Sequence, residues 1–170
     1  MFYFLYLSQV LAQVQEILPS GVAPAGADVA FTEQWLAFAN PATLGRAESV
    51  EASVGYENRY FAPELSDEYL LVAVPTKYFN VGASFNFFGY ADYHEMMVAL
   101  TVARKFGIVA VGVEFDYFNM FFPDEVGYRH AFTAQVGLQV DVTDKCVVGF
   151  RMFNPSFSQI DYNDVARRLP

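Results

Sequence analysis

The sequence predicts an all-β chain, an antiparallel meander forming part of a transmembrane β-barrel, preceded by a short N-terminal helical segment. Three observations carry that expectation. Apolar residues recur at every second position from about residue 48 onward. The chain is 54% hydrophobic and 18% aromatic but only 17% charged, where soluble domains average about a quarter charged. No uninterrupted apolar run reaches the roughly 18 residues of a helical membrane span. A repeat of two gives a strand two unlike faces. In a soluble sheet the apolar face covers a core; in a membrane barrel it meets lipid and the other face lines the interior.

The opening residues, "MFYFLYLSQVLAQVQE", read over 1–12 as the apolar part of a secretory signal peptide, with Val10 and Ala12 as small residues before Gln13. No Lys or Arg precedes Arg46, so the positive n-region is missing. The signal is therefore atypical or its true start lies upstream; an ordinary N-terminal helix or strand is the competing reading. Residues 13–47 contain Pro19, Gly21, Pro24, Gly26 and Pro41 and the single tryptophan, Trp35. Within them "FTEQWLAFANP" predicts a short helix capped by Thr32 and ended before Asn40-Pro41.

Residues 48–170 are expected to supply seven strands. Near 48–60, Val50, Ala52, Val54 and Tyr56 oppose Glu51, Ser53, Gly55, Glu57 and Arg59. Near 67–75 the apolar face carries Leu70, Val72 and Val74. Near 79–88, Val81, Ala83, Phe85 and Phe87 alternate with Gly82, Ser84 and Asn86. Near 94–104, Met96, Val98, Leu100 and Val102 face away from Glu95, Ala99, Thr101 and Ala103. Near 108–120, Val109, Val111, Val113, Phe115 and Tyr117 oppose Ala110, Gly112, Glu114 and Asp116. "FTAQVGLQVDV", 132–142, alternates without a miss, and near 145–153 Cys146, Val148, Phe150 and Met152 oppose Lys145, Gly149 and Arg151.

The links alternate in length. "PTKY", "RKFG" and "VTDK" are tight, whereas "FAPELSDE", "FGYADYHE", "FFPDEVGY" and "NPSFSQIDYNDVARR" are longer, as in outer-membrane barrels with tight turns at one rim and loops at the other. Pro63, Pro75, Pro123 and Pro155 fall in or beside these links, where no ladder donor is needed. The stretches beginning at Lys77, Lys105 and Lys145 resemble one another weakly, as hairpins of common ancestry or of common turn chemistry.

Lipid is favoured over water on three counts. The polar faces hold mainly Gly, Ala, Ser, Thr and Gln with few lysines. Aromatics cluster at strand ends (Tyr60-Phe61, Tyr78-Phe79, Phe88 with Tyr90, Tyr117-Phe118, Phe121-Phe122), where amphipathic rings settle at a membrane interface. Strand lengths suit a tilted crossing of the hydrocarbon layer. The alternative is a soluble all-β binding module of the cell envelope, a sandwich or lipocalin-like barrel. Seven strands with no eighth leave a barrel open, so the chain is expected to be part of a larger one.

The net charge of −9 sets nucleic-acid partners aside. The single Cys146 excludes an intramolecular disulfide or a cysteine zinc cluster; on the lipid face it is a small hydrophobe. Glu57, Arg59, Glu114, Asp116 and Arg151 are the expected interior charges, read first as ion pairs holding strands or N-terminal segment and second as the lining of a pathway. A glycosidase-like pair from Glu114 and Asp116 finds no cleft. His94 and His130 lie near long links and build neither a triad nor a metal site. No enzyme activity, metal or cofactor is expected. Loop acids Glu64, Asp67, Glu68, Asp92, Asp124 and Glu125 read as a solvated rim rather than as cation ligands shared with lipopolysaccharide. Leu138→Arg is expected to harm membrane assembly and Gln139→Arg, on the other face, to be tolerated better.

"FANPATLGRAESVEASVGYENRYF" carries a resemblance. Asn40-Pro41-Ala42 with Leu44 is similar to the "NPA-x-L" element of the long-chain fatty-acid transporter superfamily of outer-membrane barrels. "PTKYFNVGASFNFFGY", "VARKFG" and "VGVEFDYF" resemble its Bacteroidetes branch, which includes barrel proteins of the type IX secretion system. The resemblance spans about residues 24–170. It implies a 14-stranded barrel with an N-terminal plug, here the segment around Asn40, Pro41, Ala42, Leu44 and Trp35, with this chain supplying about the first half. It implies a non-enzymatic protein of the cell outer membrane that passes hydrophobic compounds or serves protein secretion and attachment. Its partners would be outer-membrane lipid and lipopolysaccharide, hydrophobic small molecules or secretion-system proteins. Thr43 departs from the glycine common at that place, and the second half of the pattern is lacking.

Overall fold

In the computed structural model the alternating stretches pair in sequence order. The structure describes residue 30, residues 39–58, 66–91, 93–122 and 127–155, and strands 159–162 and 165–168. The signal-like residues 1–12, the expected helix with Thr32 and Trp35, Arg59, and loop acids Glu64, Asp92, Asp124 and Glu125 lie outside the described residues.

Seven antiparallel strands form one curled half-barrel sheet in the order β1 to β7. They are β1 (Glu51–Asn58), β2 (Ser66–Pro75), β3 (Asn80–Gly89), β4 (His94–Phe106), β5 (Val109–Phe122), β6 (Gly127–Thr143) and β7 (Cys146–Phe153). Only Gly107 and Ile108 separate β4 from β5, and Gly107 sits at φ +59°, a left-handed conformation that glycine adopts without steric cost. Asp144 and Lys145 alone separate β6 from β7, with a bulge between Asp141 and Thr143. At the β2–β3 turn the Thr76 N–H donates to the Phe79 carbonyl at 3.2 Å. The strand ends that the longer links join lie at the other rim.

The end of the chain departs from expectation. A two-stranded hairpin, β8 (Gln159–Tyr162) and β9 (Val165–Arg168), forms a sheet of its own where a plain loop is expected. Asn163-Asp164, the two residues between them, are turn formers by side-chain chemistry. Asn154, at φ 49°, turns the chain away from the β7 direction just after Phe153.

The faces run as the alternation predicts, and they are inverted relative to a soluble sheet. The convex face exposes its large apolar side chains: Val54 is 81% exposed, Phe132 69% and Phe115 61%, with Leu100, Val113, Val148 and Phe150 in the same band. The concave face buries its polar ones, among them Glu114, Asp116, Gln135, Gln139, Thr101 and Asn86. A short 3₁₀ helix, η1 (Pro41–Arg46), covers it.

One part of the concave face is greasier than expected. Leu71 on β2, Met97 on β4 and Phe118 and Met120 on β5 point inward and pack with Leu44, Tyr69 and Phe153. The curled sheet with its covering segment thus has a small apolar core on the side expected to hold mainly small and polar residues. Phe118, placed with the rim aromatics from sequence, belongs to that core.

Candidate functional site

The site is the concave face where η1 is seated. Asn40 caps η1: its Oδ1 accepts from the Ala42 N–H at 3.0 Å and its carbonyl from the Thr43 N–H at 3.0 Å. Pro41 follows with its φ preset for the first helical turn. Asn40, Pro41, Ala42, Thr43 and Leu44 are all buried. Four residues of the five-residue element singled out from sequence (Asn40, Pro41, Ala42, Leu44) therefore sit together against the sheet; Trp35 is outside the described residues.

Glycines make room for this close approach. A Cβ on Gly112 of β5 would stand 2.6 Å from the Ala42 nitrogen and closer still to the Pro41 carbonyl. One on Gly137 of β6 would lie 2.8 Å from the Ala42 nitrogen and on top of the Asn40 amide oxygen, and one on Gly82 of β3 would lie 2.8 Å from Leu44 Cδ2. Gly112 and Gly137 are direct cross-strand partners, so two adjacent strands offer bare backbone to the turn. These glycines are legible in the sequence as interior positions, but what they accommodate is not.

Polar side chains then fix the turn in register. Asn80 Nδ2 donates to the carbonyls of Leu44 and Ala47, each at 2.9 Å, satisfying the end of η1. Gln139 Nε2 donates to Thr43 Oγ1 at 3.0 Å while its Oε1 accepts from Arg46 Nε at 2.8 Å. Arg46 also makes a forked pair with Asp141, at 2.6 and 3.2 Å, and Lys105 Nζ reaches the same carboxylate at 2.7 Å. None of Arg46, Gln139, Asp141, Lys105 and Asn80 was expected from sequence to hold the N-terminal segment. Gln139→Arg is accordingly expected to disturb the seat of η1: it would bring a second guanidinium beside Arg46 in a fully buried slot and remove the acceptor that holds Arg46.

A second polar cluster lies farther along the same face. Gln135 of β6 stands directly across from Glu114 of β5. Its amide nitrogen donates to Glu114 Oε1 at 2.9 Å and to Asp116 Oδ2 at 3.0 Å, and its Oε1 accepts from Arg151 Nε at 2.7 Å. Thr101 Oγ1 donates to the other Glu114 oxygen. The Arg151 guanidinium lies over the Phe153 ring at 5.6 Å. Glu114, Asp116 and Arg151 are thus brought together, through an amide rather than by direct carboxylate–guanidinium contact. Of the other two expected interior charges, Glu57 is on β1, at the far edge of the sheet and opposite Asp67, and Arg59 is outside the described residues. Asp67, taken from sequence as a loop acid, is instead a fully buried β2 residue whose Oδ1 accepts from Asn86 at 2.8 Å.

The convex rim beside the longer links carries an aromatic belt. His94 is stacked between Phe87 and Phe121, with centroids 5.5 and 5.1 Å away. His130 is stacked on Tyr117 at 5.8 Å, and its Nδ1 lies 2.7 Å from the Tyr117 hydroxyl and 3.0 Å from the Asn119 amide nitrogen. Both histidines are ring partners in the belt. Just outside the strands, burial and the neighbouring Glu95 carboxylate, to which it hydrogen-bonds, push the Tyr93 phenol above its ordinary range. Among the described residues no group of three or more His, Cys, Asp or Glu is placed to hold a metal ion.

Fold and site together define a curled antiparallel sheet with apolar side chains outward and a capped N-terminal turn keyed into its hollow. Comparison with protein-family models, curated proteins and solved structures gives no match.

Proposed function

We propose that the chain is a non-enzymatic β-barrel protein of the outer membrane, serving passage of hydrophobic compounds or type IX protein secretion and attachment. The observation that carries this reading is the inverted sheet. Large apolar side chains stand exposed in a band over six of the seven strands, β3 excepted, while Gln, Glu, Asp, Asn and Thr are buried on the hollow side. In water such a band exceeds by far the few hundred Å² of contiguous apolar surface that a monomer tolerates; in lipid it is the favourable arrangement. The rim belt of Tyr, Phe and His supports the same orientation, since rings with one polar edge favour the interface.

The covering turn supports a plugged rather than an open barrel. β1 and β7 run in the same direction, so closing them on each other would need a parallel pair, and antiparallel closure would take further strands. The resemblance of Asn40-Pro41-Ala42-x-Leu44 to the fatty-acid transporter superfamily supplies the two roles named.

Cell fractionation tests the proposal. Heat-modifiable migration in the outer-membrane fraction is expected, and a monodisperse protein free of detergent would refute it in favour of a soluble binding module. Between the two roles, loss of surface-anchored export on deletion indicates secretion, and loss of uptake of an apolar compound indicates transport.

A further inference from the structure

Two turns of the tight rim lie side by side because β3 and β4 are neighbours. Residues 76–79 join β2 to β3, and Gly107-Ile108 join β4 to β5. No Asp or Glu occurs between Pro75 and Phe79 or between Arg104 and Val109. Three cations stand there, and they divide by face. Lys105 points into the hollow and is paired with Asp141. Lys77 and Arg104 are exposed, and neither forms an ion pair among the described residues.

Both of these cations flank Tyr78. The Lys77 ammonium lies 5.5 Å from the centre of the Tyr78 ring, and Arg104 Nη1 donates to the Tyr78 backbone carbonyl. The Arg104 guanidinium also lies over Phe106, 5.2 Å from its ring centre. A cation over an aromatic face is held there by the ring quadrupole. The Tyr78 carbonyl engages one of the five guanidinium N–H donors, which leaves others for a ligand. Tyr78, Phe79, Phe106 and Ile108 are well exposed, and Val102 and Leu100 carry the apolar surface from this rim toward the middle of the convex face. An anion that meets the two cations therefore has hydrocarbon directly beside it.

That combination fits an amphiphile better than a free anion. We propose that Lys77 and Arg104 form a seat for the phosphodiester of an anionic phospholipid, whose acyl chains run along Phe106, Val102 and Leu100. Arg104 offers paired N–H donors to two phosphate oxygens and Lys77 a compact charge. A zwitterionic headgroup is the poorer ligand, since its own ammonium would stand near two cations that have no acid to offset it. The inference rests on the outer-membrane reading, which lays the convex face in lipid and turns the tight rim toward the periplasm.

The test uses the full chain carrying Phe106→Trp in a Trp35→Phe background, reconstituted into phosphatidylcholine vesicles. The indole keeps a ring under Arg104 and is quenched by lipids with brominated acyl chains. As a minor component, brominated phosphatidylglycerol should quench as if it associated about tenfold more tightly than brominated phosphatidylcholine. Lys77→Gln should cut that preference about fivefold, the factor that matches about 1 kcal/mol per cation near an anionic surface. Arg104→Gln should do the same, with Arg104→Lys restoring part of the preference. The Lys77 side chain makes no hydrogen bond among the described residues, so its variant decides the matter even if Arg104→Gln loosens the turn. Lys145→Gln removes the same charge from the β6–β7 turn, beside Asp144, and should leave the preference as it was. Equal quenching by the two lipids, or an equal loss in Lys145→Gln and Lys77→Gln, would overturn the proposal while leaving the outer-membrane reading intact. Failure to enter the vesicles at all would refute that reading, and this inference with it.

Discussion

Gly112→Ala is the smallest change that should unseat the N-terminal turn. The added Cβ would stand 2.6 Å from the Ala42 nitrogen and closer to the Pro41 carbonyl. These are backbone atoms of a capped, proline-containing turn, which have no rotamer with which to move aside. Seating η1 buries Leu44 completely, worth about 2 kcal/mol. It also makes the bonds from Asn80, Gln139 and Arg46 to the turn and the sheet, each worth about 1 kcal/mol net. Losing the seat therefore forfeits about 6 kcal/mol, and the overlap of the new Cβ with two backbone atoms, which neither side can relieve by changing rotamer, must offset that for the turn to be released. The readout is maleimide labelling of Thr43→Cys in a Cys146→Ser background. Thr43 is fully buried, so the parent should resist labelling and the Gly112→Ala variant should label readily. Val113→Ala, one residue along β5 on the convex face, should leave the cysteine protected. Continued protection in Gly112→Ala would refute the argument that bare backbone at this position is what admits the turn.

Leu138→Arg places a guanidinium on the convex face and should impair assembly by about 2–4 kcal/mol if that face meets lipid. Gln139→Arg should assemble yet label at Thr43→Cys, and folding assays in lipid vesicles separate the two. Leu44→Ala should cost about 2–4 kcal/mol by leaving a cavity, and Gly82→Ala alone should clash with Leu44 Cδ2. The double variant should be less damaged than the two effects added, and strict additivity in urea unfolding would show that the two do not touch. Gln135→Leu removes the amide shared by Glu114 and Asp116 and the acceptor of Arg151. It should destabilise by about 2–4 kcal/mol through buried groups left unsatisfied, and an unchanged midpoint of heat-modifiable mobility would contradict that role.

The period-two alternation was enough to place all seven strands of the meander within a few residues and to assign their faces, because side chains alternate strictly across a pleated strand. The tight connection at "RKFG" was legible for the same local reason, although the structure places its turn further on, at Gly107-Ile108. Three-dimensional adjacency was not. Glu114 and Asp116 could be read as inward-facing, yet the residue that joins them, Gln135, lies on the next strand and is found only once register is known. Asp67 read as a loop acid because its neighbours Ser66 and Glu68 are polar, and only pairing with β3 draws it into the hollow beside Asn86. The hairpin after Asn154 went unread because the strands on either side of Asn163-Asp164 are short and alternate weakly.

By itself the sequence determined that there would be a two-faced antiparallel sheet and which residues share a face; Asn40-Pro41 read only as the end of a helix, and the capped turn that begins there came from the structure. The sheet and its faces follow from chain geometry within a few residues. Only the tertiary structure decided what each face meets. The turn that fills the hollow is about a hundred residues away from Gly137 and Gln139 in the chain, and no local rule relates a glycine on one strand to the proline that rests against it. The same holds for the unequal lengths of β6 and β7, 17 and 8 residues, a difference that appears only when the two strands lie side by side.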